Sequence, residues 1–306
     1  MSLSESPSSA DASLESLIDR LHARERLRVW SIVITVYGDA IVPRGGVLWL
    51  GALQELLARL RIEPGALRAA MSRLASDGWL TRDKRGRRSY YALSNAGRLS
   101  FALATQRIYA AGPIEWDGAW TICVAPEEAG EARDARRKAL RELGFGTLGP
   151  TVFCRPETEA APDAMDYLAG AVVFSAKAPV SEYLPPLTSA AWPLKETGEA
   201  YKEIVAAFSP LLSCLQDGAK LDPLNAIAAR TLLIHDFRRA ALKDPLLPSI
   251  LLPSDWPGTE ARDLAADLYR RLVPGSEAWL DTCDDAADGA MPIASNAFHG
   301  RFGGLD

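Results

Sequence analysis

The sequence predicts an α+β protein of three successive domains, and three observations along the chain lead to that prediction. Two helical patterns followed by a basic hairpin pattern occupy the first third. Short strand and helix patterns then alternate through the middle. From Pro193 onward, apolar residues recur at helical spacing between proline breaks. A chain of 306 residues, 48% of them hydrophobic, is long enough to bury a core in each domain.

Composition shifts and linkers divide the chain into five segments. Gly112 and Pro113 mark a linker, and the residues after about Asp284 are small and rich in glycine. The predicted segments are a flexible N-terminal stretch (1–23), a basic domain (24–111), an alternating middle domain (112–192), a helical C-terminal domain (193–283) and a mobile tail (284–306).

Positive charge is concentrated in the first third of the chain. Residues 24–110 contain 15 Lys and Arg against 6 Asp and Glu, a net charge of +9, whereas the whole chain has a net charge of −5. A basic module attached to an acidic body commonly neutralises phosphates. The alternative is a solvated arginine-rich face, and charge alone does not separate the two.

The basic domain begins with three apolar segments. Leu27–Tyr37 is rich in β-branched residues, so its periodicity fits either a buried helix or a strand. Residues 50–60 repeat leucine at helical spacing and predict an amphipathic helix. Pro64 suits the first turn of a further helix that ends near Asp77. The last two helices are joined by a brief turn, as in a helix-turn-helix.

A hairpin with a basic tip follows the second of these helices. Residues 79–82 and 89–93 have strand composition and flank a turn centred on Gly86. Ser94 is placed to cap a further helix that ends near Ala110. The cations of the tip are Lys84, Arg85, Arg87 and Arg88.

The order helix, turn, helix and basic hairpin predicts a winged helix-turn-helix that binds DNA. On the second helix Ser72 and Arg73 point away from the apolar stripe and Arg68 lies on its flank, which suits contacts to base edges or phosphates. The tip cations suit the DNA backbone or minor groove. The competing interpretation is a helical core with a solvated basic hairpin.

The middle and C-terminal domains differ in their periodicity. The middle domain predicts strands at 120–124, 151–154 and 171–174, a charged helix at 131–143 and a short helix near Met165, an order of the ferredoxin-like kind. The C-terminal domain predicts helices, most clearly at 201–208, 223–242 and 259–272.

Several short motifs are distributed along the chain, at residues 36–46, 78–80, 86–91, 116–120, 232–239, 244–245 and 251–258. Together they resemble the PaaX family of phenylacetic-acid degradation repressors, over roughly residues 27–280, and the combination is highly specific. Arg44 and Tyr90 lie within two of these motifs and join the candidate DNA contacts.

The resemblance implies several properties that the residue patterns do not provide. It implies that 27–37 is the first helix of the winged domain, and that the middle domain is similar to the small ferredoxin-like nuclease of CRISPR adaptation. It also implies a cytoplasmic homodimer that represses aromatic, phenylacetate-type catabolism from an operator in double-stranded DNA. The implied effector is an aryl-CoA thioester, typically phenylacetyl-CoA.

The likeness to a nuclease raises an alternative function, a metal-dependent nucleic-acid hydrolase built on the middle domain. That chemistry relies on an aspartate at the end of the first strand, because Mg²⁺ prefers carboxylate oxygens. Here the strand runs into Ala125 and Pro126, and Glu127 is the nearest acid. We therefore predict a non-catalytic middle domain with no catalytic residues.

A second cluster is a candidate effector site. His235 shares a helix face with Arg238 and Arg239, and Trp256 lies further along the chain. Cations suit the phosphates of an anionic acyl-CoA, and an aromatic side chain suits its acyl part. The alternative is an internal polar network that packs the helical domain.

The remaining sequence signals exclude other classes of protein. The four cysteines and three histidines are scattered, so we expect neither a metal site nor a disulfide framework. No dinucleotide or P-loop motif predicts a cofactor. No leader pattern and no long apolar run is present, so we expect a cytoplasmic protein without a membrane partner.

Overall fold

A computed structural model of the chain describes residues 9–111, 114–158, 164, 168–283 and 291–305, except the side chains of Ser100 and Leu103. The described chain is a mixture of helices and two antiparallel sheets, which confirms the predicted α+β class. Its helices are α1 (Ser9–His22), α2 (Val29–Val36), α3 (Leu50–Arg59), α4 (Pro64–Ser76), α5 (Asn95–Ile108), α6 (Gly130–Glu142), α7 (Leu184–Ala191), α8 (Leu194–Gln216), α9 (Pro223–Ala241), α10 (Gly258–Asp281) and α11 (Asn296–His299). Its strands are β1 (Val47–Trp49), β2 (Leu80–Arg85), β3 (Arg88–Leu93), β4 (Ala119–Val124), β5 (Gly146–Thr147), β6 (Val152–Pro156) and β7 (Val172–Lys177).

Contacts between residues divide the chain into two compact units. The first unit combines the chain up to residue 111 with residues 202–241 and the chain from 259 onward. The second unit combines residues 112–201 with 242–258. The helices predicted for the C-terminal domain form, but α9 and α10 therefore share a unit with the N-terminal helices.

The ambiguous segment 27–37 is helical in the structure. It forms α2 and then a π-helical turn, Tyr37–Ile41, and most of its residues are buried. Burial explains why a β-branched run adopts a helix here, since tertiary packing outweighs the weak intrinsic preference. The predicted helices at 50–60 and 64–77 correspond to α3 and α4.

The first unit contains a three-stranded antiparallel sheet in the order β1-β3-β2. Strands β2 and β3 form the predicted hairpin, in which Arg85 pairs with Arg88 at the turn. Gly86 has a φ of +59°, a conformation that glycine adopts without strain. The Ser94 side chain caps α5 as predicted, because its hydroxyl accepts a hydrogen bond of 3.1 Å from the Gly97 amide.

Helix α9 is the centre of the first unit. Its residues from Ala226 to His235 are buried, and α1, α2, α3 and α5 all contact it. A helix that buries consecutive residues over several turns is covered on all sides, so other elements must surround it. This requirement explains why the N-terminal helices and α9 form one unit.

The chain ends differ from the flexible N-terminal stretch and mobile tail that we expected. Within 1–23, residues 9–22 form α1, whose apolar stripe, including Leu14 and Ile18, is buried. Within 284–306, residues 291–305 pack into the first unit and bury Phe298 and Phe302. Local composition did not predict that these two segments pack against the first unit, because a few apolar side chains per turn are enough to anchor a short segment.

A buried ionic cluster centred on Asp39 joins the N-terminal helices to the rest of the first unit. Asp39 is 2% exposed, and Arg230 of α9 donates to it at 2.7 Å. Arg301 donates to it at 3.0 Å. The hydroxyls of Tyr109 and Tyr269 donate to the same carboxylate at 2.6 and 2.7 Å. Burial alone would raise the pKa of Asp39, but the two guanidinium groups and the two hydroxyls hold it below its ordinary value.

The second unit has a four-stranded antiparallel sheet in the order β5-β6-β4-β7. Numbered within the unit this is 2-3-1-4, the order expected of a ferredoxin-like fold, and α6 follows the first strand. The predicted strands and the charged helix therefore form. The short helix predicted near Met165 lies outside the described residues.

We expect Asp39→Asn to destabilise the first unit by about 3 to 5 kcal/mol, because Arg301 loses its buried counter-charge and Arg230 keeps only its pair with Glu277. Urea denaturation followed by circular dichroism measures the loss. Asp267→Asn is the matched control, since Asp267 pairs with Arg271 at the surface and such pairs contribute about 1 kcal/mol or less. Equal losses in the two variants would contradict this role for Asp39.

Candidate nucleic-acid interface

Helix α4 presents one apolar and one polar face, as predicted. Leu67, Met71 and Leu74 are buried in the first unit, whereas the predicted contact residues are exposed. Arg68 makes no ion pair or side-chain hydrogen bond within the described part of the chain. Ser72, one turn further along, has a short side chain that allows close approach of a ligand.

Arg73 is exposed but has partners within the protein. Its Nε lies 3.4 Å from a carboxylate oxygen of Asp77, and its guanidinium stacks 5.5 Å above the ring of Trp30 in α2. Both contacts are at the surface and weak, so they orient the guanidinium without preventing it from binding an anion.

The tip of the β2–β3 hairpin brings the four predicted cations together, and all are exposed. Arg85 lies 2.9 Å from a carboxylate oxygen of Asp83, and Arg88 stacks 4.7 Å above the ring of Trp49. Lys84 and Arg87 have no ion pair with any described residue. The tip is therefore only partly neutralised by its own protein.

Arg82 is a further exposed cation of the hairpin that the sequence analysis missed. Its guanidinium donates to the Ser89 hydroxyl at 2.8 Å. Side chains two apart on a strand share a face, so Arg82 lies on the same face as Lys84. The two-residue period of β2 was the signal that could have identified it.

Two predicted DNA contacts, Arg44 and Tyr90, lie inside the protein. Arg44 is 3% exposed and pairs with Glu277 at 3.1 Å and Asp281 at 2.5 Å. Tyr90 is 6% exposed. Neither side chain reaches the surface, so neither belongs to the set of exposed residues that could contact DNA. Arg44 instead holds the turn after α2 against α10.

The predicted effector residues are divided between the two units, with three on α9 of the first unit and Trp256 in the second. His235 and Arg238 both contact α2: the His235 Nδ1 lies 3.2 Å from the Thr35 hydroxyl, to which Arg238 donates at 2.8 Å. Arg239 is exposed on the same helix and has no ion pair among the described residues. Trp256 lies in the second unit, where its ring packs edge to face on Tyr201.

Burial controls the protonation of His235, which is 4% exposed. Its pKa is lowered from 6.5 to about 3, mainly by desolvation; the adjacent Asp236 carboxylate opposes this shift, and the neighbouring cations, Arg238 first among them, add to it. The imidazole is therefore neutral at pH 7, and His235 brings no positive charge to an anionic ligand.

Two uncharged residues follow strand β4 of the second unit, where metal-dependent cleavage by a nuclease of this fold would need a carboxylate. Strand β4 ends at Val124 and is followed by Ala125 and Pro126. Glu128 is paired with Arg136 at 2.8 Å. The described residues contain no cluster of three or more His, Cys, Asp or Glu side chains that could hold a metal ion.

Among the described residues no helix combines the length and apolarity needed to span a membrane.

Comparison with known proteins matches all three parts of the chain to one family. The models that match are the PaaX-like protein (residues 28–97), the PaaX protein central Cas2-like domain (113–175) and the PaaX-like protein C-terminal domain (192–282). The chain belongs to the PaaX family. The predicted resemblance is thereby confirmed.

Two known proteins are similar to this chain. The chain is 34% identical over 285 residues to the transcriptional repressor PaaX of Escherichia coli (strain K12), and the match covers 90% of each chain. It is also similar in fold to an uncharacterized protein from Mycobacterium tuberculosis, with a TM-score of 0.53 and 23% identity. That match covers 75% of this chain and 90% of the other, and it concerns the fold alone.

The buried His235 predicts a pH dependence of stability. The unfolded chain binds a proton at His235 below pH 6.5 and the folded chain does not until about pH 3, so stability falls as the pH drops through this window. The fall attributable to His235 is up to about 1.4 kcal/mol per pH unit. Urea denaturation at several values between pH 7 and pH 5 gives the free energy of unfolding, and its slope against pH gives the number of protons taken up on unfolding. We expect His235→Gln to reduce that number by about one.

The exposed His299 provides the control for this measurement. Its replacement by Gln is expected to retain the wild-type dependence on pH, because its side chain remains in solvent when the protein folds. If His235→Gln shows the wild-type dependence as well, His235 is not buried in its neutral form.

Proposed function

We propose that this protein is a transcriptional repressor that binds duplex DNA through α4 and the β2–β3 hairpin. The observation that carries the proposal is the set of exposed cations on this helix and hairpin, in a chain similar to a protein named as a transcriptional repressor. Of these cations, Arg68, Lys84 and Arg87 lack ion pairs within the described residues. Uncompensated cations on adjoining elements suit the closely spaced phosphates of DNA.

Helix α4 has the shape that a helix needs to contact base edges in the major groove. Its outer face carries small residues, Ala69 and Ser72, beside Arg68, so the helix can lie deep while the arginine donates to a guanine edge. Its other face is fixed by the buried Leu67 and Leu74. The exposed side chains are thus held on a rigid element, which favours specific recognition.

The hairpin has different properties and would contact the DNA backbone or minor groove. Its cations are flexible side chains around the glycine turn at Gly86. Phosphate contacts fix the position of a protein on the duplex without reading the sequence. The helix would therefore supply specificity and the hairpin non-specific affinity.

The proposal includes an assembly and a ligand. We infer a cytoplasmic homodimer on a two-fold symmetric operator of phenylacetate-type catabolic genes, with phenylacetyl-CoA or a related aryl-CoA thioester as effector, as the family resemblance implies. A thioester releases DNA only if it binds the free protein more tightly than the DNA complex. Arg239, exposed and uncompensated on α9, is the residue we propose for the CoA phosphates.

We propose that the Cas2-like unit is a scaffold rather than a nuclease. The supporting observation is that Ala125 and Pro126 follow β4, where metal-dependent cleavage would need a carboxylate. The exposed Glu127 is the nearest acid to that strand end.

We expect Lys84→Ala combined with Arg87→Ala to weaken binding to operator and random DNA alike. The slope of log affinity against log salt is expected to fall by about 0.9 for each phosphate that the variant no longer neutralises. Arg68→Ala provides the contrast, with a decrease of about 1 to 3 kcal/mol in binding free energy at the operator and little change on random DNA. Fluorescence anisotropy over a salt series measures both. An unchanged slope would mean that the hairpin does not contact phosphate.

The effector is tested by titrating the protein on its own promoter region with a panel of CoA thioesters. We expect phenylacetyl-CoA or a close relative to weaken DNA binding by about 5- to 150-fold, the range typical of coupling between two sites. Free CoA and phenylacetate are the controls. Arg239→Ala is expected to keep the affinity for DNA and to reduce the response. If no thioester changes the affinity, the proposed class of effector is wrong.

A further inference from the structure

Two exposed arginines lie in the short connection between α1 and α2. Arg26 and Arg28 are both exposed, and neither side chain has an ion pair or hydrogen bond with another described residue. Arg28 occupies the N-cap position of α2, but its side chain makes no capping hydrogen bond. Within the described chain these two cations thus have no visible structural role.

The chain on both sides of these arginines is held against α9. Before them, Arg24 pairs with Asp236 at 2.5 Å, and the same carboxylate pairs with Arg20. After them, Arg238 donates to the Ser31 carbonyl at 3.0 Å and to its hydroxyl at 2.6 Å. The intervening turn is therefore fixed at both ends, while its two cations point into solvent.

This basic turn lies next to the proposed recognition helix. Trp30 is in the first turn of α2, only two residues after Arg28, and the guanidinium of Arg73 in α4 stacks on its ring. Helices α2 and α4 pack against each other. A duplex bound at the exposed face of α4 would bring its phosphates close to the turn.

We propose that Arg26 and Arg28 form a second phosphate-binding element, which contacts the backbone of the duplex beside α4. The inference rests on the proposed function, because it assumes that α4 enters the DNA. Arginine donates in a fork geometry that matches phosphate oxygens. The contacts of Asp236 and Arg238 order the turn before DNA arrives, so less conformational entropy is lost on binding.

The experiment compares Arg26→Ala combined with Arg28→Ala to wild type in the full chain, on duplexes from its own promoter region and of random sequence. The slope of log affinity against log salt is expected to fall by about 0.9 for each of the two contacts. Binding to the two kinds of duplex is expected to weaken alike. Arg26→Lys combined with Arg28→Lys keeps the charge and is expected to keep most of the slope.

A matched control removes two exposed arginines from α6, by Arg133→Ala combined with Arg141→Ala, and is expected to leave the slope unchanged. Circular dichroism and thermal unfolding establish that each variant is folded. If the slope of the Arg26 and Arg28 variant equals wild type while the hairpin variant still lowers it, this inference is wrong and the proposed function stands. If wild type binds neither duplex, both are wrong.

Discussion

A single buried carboxylate, Asp39, faces two buried guanidinium groups that come from distant parts of the chain, Arg230 in α9 and Arg301 near the C-terminus. Each of these ions would be costly to bury alone, so the three groups are stable only together. Two tyrosine hydroxyls complete the hydrogen bonds of the carboxylate. The turn after α2 is thereby fixed to α9 and to the C-terminal segment, and Arg44 adds a second tie from that turn to α10.

This constraint explains how a basic surface can be carried by an acidic protein. The arginines of the first unit include buried ones with carboxylate partners, such as Arg230, and exposed ones that have no ion pair with a described residue, such as Arg68 and Arg87. Helix α9 is linked to α4 through α2, since His235 and Arg238 contact Thr35 of α2 and α2 packs on α4. If the proposed effector favoured a different arrangement of α9, it would act on α2 and through it on the proposed DNA-binding surface.

Local patterns predicted the elements well but predicted their partners poorly. The stripe of Leu67, Met71 and Leu74 was enough to orient α4, because an amphipathic helix buries its apolar face wherever it packs. Arg44 and His235 have side chains that suit a ligand equally well, and only their burial in the folded chain distinguishes a structural ion pair from a contact residue. The same holds for Asp39, which no spacing rule connects to Arg301 across more than 200 residues.

The N-terminal helices, α9 and the C-terminal segment are expected to unfold as one cooperative unit around Asp39. Native-state hydrogen exchange over a series of denaturant concentrations measures this cooperativity, because it reports the opening free energy of each element. We expect the slowest amides of α2, α9 and α10 to converge on a single opening free energy and the same dependence on denaturant. Opening of α2 at a distinctly lower free energy, while α9 and α10 remain protected, would contradict this expectation.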